Sequence, residues 1–208
     1  MTDEFQAEFT LPELINQIED SDQKIESQVI KIHNRHLFHR LTSERMLEEI
    51  MPREIELGAS YHFISGGDVD SFSFLMWILR MQRVKKLLCS TWCMAKLDVQ
   101  EFHRQIMLGR IGELSFYVGE IFPGSYPDEY AEICEVCKDT GGRVAVFRNH
   151  SKVMAGYGEK FAFAIESSAN INTNPRTEQT VVTIDRRLAD FYFEFYNGIV
   201  SFDKEEWR

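Results

Sequence analysis

Asn149-His150-Ser151-Lys152 and, farther along, Ser167-Ser168-Ala169-Asn170 are the stretches on which the reading of this chain turns. Side chains alternate faces along a strand, so a histidine and a lysine two residues apart share one face of the strand expected here. Ser168 and Asn170 repeat that spacing on what is expected to be the next strand. Together the four side chains offer an imidazole, an ammonium, a hydroxyl and a carboxamide. Phosphodiester hydrolysis without a metal needs a nucleophile, a general acid and donors for the non-bridging oxygens, and this set can supply them. Ser167 adds a second hydroxyl at the same place, as a substrate-binding candidate.

Composition narrows the setting. The chain has 208 residues and 44% hydrophobic content, which suits one compact domain with a short appendage. A net charge of -10 argues against a broad electrostatic grip on nucleic acid and leaves room only for a local basic site. No apolar run reaches the ~20 residues needed to span a bilayer. The acidic start, Met1-Thr2-Asp3-Glu4, lacks the basic region and apolar core of a signal peptide. A cytoplasmic protein without membrane insertion is expected, with its four cysteines reduced.

Two parts are visible along the chain. Residues from about Thr10 to Met51 show helical periodicity, and 1–56 are expected to form a helical N-terminal extension, a surface for a protein partner. Thr10-Leu11-Pro12-Glu13 supplies an N-cap, an early proline and a capping-box glutamate. Ser21 or Asp22 starts a second expected helix carrying Ile25 to Leu41, and Thr42 or Ser43 caps a third. Residues 57–208 form the main domain. Strand, helix and strand alternate through Tyr61–Ser65, Asp70–Arg83, Val84–Thr91, Leu97–Leu108, Leu114–Ile121 and Pro127–Asp139. Such alternation predicts an α/β fold with parallel strands. Four closely spaced strand candidates follow, at Arg143–Phe147, Ser151–Ala155, Phe161–Glu166 and Thr180–Ile184, and a helix opens at Asp185 or Arg186.

The His-x-Lys and Ser-x-Asn pairs, in this order of elements, resemble the phospholipase D superfamily, whose motif runs His-x-Lys, then an aspartate five residues on, then Gly-Ser-x-Asn. The resemblance covers roughly residues 58–202. It implies a mixed β-sheet flanked by helices, and metal-independent phosphodiester chemistry through a phosphohistidine. It makes His150 the nucleophile and Lys152 the phosphate-binding cation, with Ser168 and Asn170 as neutral donors. Glu178, eight residues after Asn170, lies near an acidic position of the family and is expected to orient His150, with Glu166 as the alternative. The family aspartate falls at Tyr157, and the interval from His150 to Ser168 is about three residues longer than the family pattern, which a longer hairpin around 156–160 absorbs.

A full site in this superfamily uses two copies of the motif, and this chain carries one. A homodimer sharing one site is therefore expected, acting on a phosphodiester, DNA or RNA. The alternative is a catalytically inactive member that binds a ligand or assembles with partners, including in a mobile element.

Other signals are read more blandly. Cys134 and Cys137 are three apart beside Ile133 and Val136, as core-facing helix residues are, and Cys89 lies in an apolar strand, so neither metal nor cofactor is expected. Lys31, His33, Arg35, His36, His39 and Arg40 form a basic patch, read as a solvated helix face or a phosphate contact. Gly66 and Gly67 follow a strand and precede a helix, where backbone N–H groups can meet phosphate. The run Phe191-Tyr192-Phe193-Glu194-Phe195-Tyr196 is expected to pack in the core or between copies, with base stacking as its other use.

Overall fold

A computed structural model describes residues 35–171 and 176–202. The helix starts expected at Thr10 and at Ser21 or Asp22 lie outside the described residues. The described residues belong to one compact unit.

Seven strands form one mixed sheet: β1 (Ser60–Ser65), β2 (Val84–Thr91), β3 (Ile111–Gly119), β4 (Val144–Phe147), β5 (Val153–Gly158), β6 (Ala162–Ser167) and β7 (Glu178–Thr183). Their spatial order is β1-β7-β6-β5-β2-β3-β4. The helices are α1 (Arg35–Ile50), α2 (Ser71–Met81), α3 (Lys96–Met107), α4 (Phe122–Ser125), α5 (Pro127–Thr140) and α6 (Arg186–Asn197).

The strand–helix alternation does produce parallel pairing between β2 and β3 and between β3 and β4. β1 departs from the simple expectation. It pairs antiparallel with β7 at the sheet edge, because β5, β6 and β7 lie between it and β2. Three antiparallel pairings then separate β7 from β2, so β1 still runs in the same direction as β2. The C-terminal ends of β1, β2, β3, β4 and β6, and the N-terminal ends of β5 and β7, therefore share one end of the sheet.

Both faces of the central strands are buried, and the alternation shows which residue goes where. Leu87 and Cys89 of β2, and Phe116 and Val118 of β3, join the larger core with α2, α3 and α5. Leu88 and Tyr117 point the other way, into a smaller core under Phe193 and Tyr196 of α6. Strands covered twice read as continuous apolar runs, and in β2 that run is Leu87-Leu88-Cys89, after an exposed Lys85 and a half-buried Lys86.

Local signals account for the helix ends. Asp70 caps α2, its carboxylate accepting from the Ser73 N–H at 2.9 Å. Asp185 caps α6 through the N–H groups of Arg187 and Leu188. Gly141 ends α5 at φ 76°, a left-handed conformation that suits glycine. The helix start expected at Thr42 or Ser43 does not occur: α1 runs through both. The buried Ser43 hydroxyl instead donates to the Asp68 carbonyl at 2.7 Å, because α1 is packed against α2 and the loop before it.

Candidate active site

His150 and Lys152 stand between β4 and β5, at the end of the sheet where those strand ends gather. Lys152 is the residue before β5, and His150 lies in the β4–β5 connection rather than on a strand. The expected alternation is thus replaced by a short bend, which brings the two side chains into contact. The Lys152 Nζ lies 3.3 Å from His150 Nδ1 and donates to the His150 carbonyl at 2.6 Å.

The bend is held by Asn149, which is buried beneath it. Its Nδ2 donates to Ser90 Oγ and to the Tyr117 carbonyl, both at 2.9 Å, and so ties the bend to β2 and β3. Its Oδ1 accepts from the Ser151 N–H at 3.0 Å and the Ser151 hydroxyl at 2.6 Å. The Ser151 Oγ also lies 2.6 Å from the Tyr196 hydroxyl, so α6 takes part. His150 itself stays exposed, its ring tilted against Trp92 with centroids 5.8 Å apart. Gly119 permits that approach, since a Cβ there would sit 2.7 Å from Trp92 Cδ1.

The second motif arrives across the β5–β6 pairing. The Ser167 N–H donates to the Lys152 carbonyl at 3.0 Å. The Ser167 hydroxyl lies 2.9 Å from Thr180 Oγ1. Ser168 Oγ donates to Glu178 Oε2 and accepts from the Gln179 N–H at 2.9 Å. Asn170 turns toward β2: its Oδ1 accepts from the Trp92 N–H at 3.3 Å and from Thr91 Oγ1 at 3.5 Å. The Ser71 hydroxyl donates to its carbonyl at 2.8 Å. The Asn170 carboxamide and the His150 ring are thereby linked through Trp92.

The electrostatics centre on Lys152. Partial burial pushes its pKa down, while Cys93 and Glu178 pull it back toward the charged form. Burial in turn pushes the Cys93 thiol up, against the opposing pull of Lys152 and Tyr126. Lys152, Glu178, Ser168 and Cys93 therefore form one interacting group beside the imidazole.

Gly66 and Gly67 reach the edge of this region, because Ser65 pairs with Glu178 in the β1–β7 ladder. Their N–H groups are engaged within the loop: Gly66 N donates to Asp68 Oδ1 at 3.1 Å and Gly67 N to Ser65 Oγ at 3.4 Å. Glu166 accepts from the Tyr192 hydroxyl and so belongs to the α6 contact. Tyr157, at the place of the family aspartate, stacks on Phe193 at 4.6 Å and donates to Asp190 at 2.7 Å. Arg40, read from sequence as part of a surface patch, is buried and paired with Asp70 and Asp98. That correction follows from the packing of α1 into the core through Leu47.

Sequence reasoning did not assign roles to Asn149, Trp92 or Thr91. The available signal was positional: Thr91-Trp92 leaves β2 at the end of the sheet where His150 stands.

No family model matches the sequence, and no curated protein matches it. Solved structures do. Polyphosphate kinase from Porphyromonas gingivalis matches with a TM-score of 0.53 and 13% identity, over 78% of this chain and 29% of that one. Nuc from Salmonella typhimurium, a phospholipase D family member, gives 0.44 and 11%, over 67% of this chain and 91% of that one. NucT from Helicobacter pylori gives 0.47 and 12%, over 67% and 93%. At such identities a likeness speaks to the fold alone. The chain has an α/β fold, a seven-stranded mixed sheet flanked by helices, and the polyphosphate kinase structure shares that fold.

Proposed function

We propose that this chain is a metal-independent phosphodiesterase that acts on nucleic acid. The observation that carries the reading is the contact of Lys152 Nζ with His150 at the strand ends where Ser168, Asn170 and Glu178 also gather. His150 is exposed enough to reach phosphorus and is backed by Trp92. Its ring nitrogen attacks, a P–N bond forms, and the P–O bond to the leaving oxygen breaks. A second copy's imidazole protonates that oxygen. Water then attacks the phosphorus, releases a phosphomonoester end and restores the imidazole. Lys152 holds a non-bridging oxygen as a point charge. With Asn170 Oδ1 occupied by Trp92 N–H, its Nδ2 is the end presented to phosphate. Glu178, which accepts from Ser168, favours the charged form of Lys152.

One chain supplies one motif, so the reading includes a homodimer that shares a phosphate-sized site. It also includes a reducing, cytoplasmic setting, in which the four buried cysteines stay as thiols. Among the described residues no helix is long and apolar enough to cross a membrane. The same residues contain no group of three or more His, Cys, Asp or Glu side chains placed to hold a metal.

A second reading, a non-catalytic phosphate-binding or assembly protein, is favoured by the Tyr157–Asp190 contact where the family has a carboxylate in its motif. One experiment separates the two. Hydrolysis of a generic phosphodiester and of DNA is followed in EDTA with the wild type and with His150→Ala, and neutral quenching of labelled substrate traps phosphate on His150. Cleavage that persists in EDTA and disappears in the variant supports the proposal. Cleavage that requires magnesium, or that survives in the variant, refutes it.

A further inference from the structure

The exposed aromatic face of α6 has no role in the mechanism above, yet it opens beside the proposed nucleophile. Phe191 and Phe195 stand one helical turn apart and are 58% and 53% exposed. Large apolar rings held out in this way mark a binding surface when they are contiguous. These are contiguous: Phe191 meets Tyr192 at 5.3 Å, and Phe195 meets Tyr196 at 5.1 Å. Together with Arg148 and His150 they line a cleft of 420 Å³.

The rings are held rigidly from below. Tyr196 is buried, hydrogen-bonded to Ser151 and in ring contact with Tyr117 at 4.8 Å. Tyr192 is fixed by its hydroxyl on Glu166, which engages the acidic side chain near this wall. Arg148 and His150, both exposed, line the same cleft. The cleft thus joins aromatic rings to an arginine and an imidazole. That combination complements a flat ring attached to an anion.

We propose that this cleft is a nucleobase subsite, in which an unpaired base stacks on Phe191 and Phe195 while the adjoining phosphate is held by Arg148 and His150. Base stacking on aromatic side chains tolerates every base, since each has a π-face, and it needs a base free of its own neighbours. A duplex keeps its bases stacked and paired, so the subsite selects single-stranded nucleic acid. The base-binding part stands on the cleft. The presentation of the phosphate to His150 rests on the phosphodiesterase reading above.

The test uses the full chain and two labelled probes of equal length, an oligothymidylate and an abasic oligomer with the same phosphate chain. Binding is read by fluorescence anisotropy and cleavage on a gel. The wild type is expected to bind the oligothymidylate about 10- to 100-fold more tightly than the abasic oligomer, the range that loss of stacked bases gives. The double variant Phe191→Ala/Phe195→Ala is expected to remove that difference and leave abasic binding unchanged. Phe191→Trp supplies a second readout. Its indole emission should be quenched by the oligothymidylate beyond the wild-type change, and not by the abasic oligomer.

Equal wild-type affinity for the two probes, or a double variant with unaltered preference, overturns the subsite. So does a double variant that sediments as a smaller species than the wild type, which would give this face to a second copy. Should the double variant fail to fold, absence of quenching in Phe191→Trp overturns it instead. The two readings fail separately. Base-dependent binding without cleavage of either probe retains the subsite and removes the phosphodiesterase. Cleavage of both probes at equal rates, with equal binding, does the reverse.

Discussion

At the scale of single residues, the site is a small electrostatic system with Lys152 as its variable part. Phosphate binding needs the ammonium. Burial lowers the Lys152 pKa, and Glu178 and Cys93 work against that. The charged form is therefore lost, as pH rises, earlier than for an ordinary lysine. The alkaline fall of kcat/KM should lie below the usual lysine range in the wild type. It should move lower still in Glu178→Gln, which removes one of the stabilising charges. In Lys152→Arg it should move upward out of the titrated range, at reduced activity, because guanidinium does not titrate there. A pH profile whose alkaline limb stays in place in Lys152→Arg would detach Lys152 from the chemistry. The His-x-Lys pair could be read from sequence because its members are two positions apart. Asn149 could not, because its partners Ser90 and Tyr117 lie on strands that only the folded sheet brings beneath it. Asn149→Ala leaves the Ser151 N–H without its acceptor and should lower activity by at least tenfold while the fold survives. Circular dichroism alongside a kinetic assay checks both parts.

At the scale of elements, the β5–β6 hairpin is the carrier of the site, with Lys152 just before its first strand and Ser168 just after its second. Its turn is fastened to the body of the sheet by the side chain of Gln82. Gln82 Oε1 accepts from the N–H groups of Lys160 and Phe161 at 2.8 and 3.0 Å, and Nε2 donates to the Phe161 carbonyl at 3.0 Å. Gln82 is 6% exposed, so its loss leaves backbone groups with no partner. Gln82→Ala should cost about 1–3 kcal/mol, the penalty for stranded polar groups. Gly158→Ala should cost a similar amount by displacing the same amide, since a Cβ there would fall 2.1 Å from it. The two changes share one mechanism, so urea unfolding of the double variant should show less than the sum. Additive losses would mean that the amide is not what holds the turn. The strands were legible as elements because alternation and turn residues are local signals. The place of β1 was not, because its pairing with β7 joins residues more than a hundred positions apart.

At the scale of the whole molecule, the point at issue is where the folded domain begins. Helical periodicity and Pro52 suggest an extension that ends near residue 56, with residues 57–208 folding alone. The contacts of α1 argue for an earlier start. Arg40 Nε donates to Asp70 Oδ2 at 2.8 Å, and Arg40 NH2 reaches Asp98 Oδ1, with all three side chains at most 7% exposed. Burial alone would lower the Arg40 pKa, and the two carboxylates overcome that and hold it above its ordinary value. One guanidinium thus compensates two buried carboxylates, one on the cap of α2 and one in the first turn of α3. Removing a partner from a buried ion pair costs about 3–5 kcal/mol, because the charges left behind cannot be rehydrated in place. That is a large share of the about 5–15 kcal/mol by which domains are stable. Deleting residues 1–33 should therefore leave a cooperatively folding domain, because Arg40, Ser43 and Leu47 of α1 keep their partners in what remains. Deleting residues 1–52 removes Arg40 and the buried Leu47 together, and should give a chain that is unfolded or aggregates. Arg40→Met in the full chain isolates the ionic part and should lower the unfolding midpoint sharply. Light scattering of the 34–208 fragment should report twice its chain mass if the shared site joins two copies through this unit. A stable, monomeric 53–208 fragment would refute both the early domain start and the dimer.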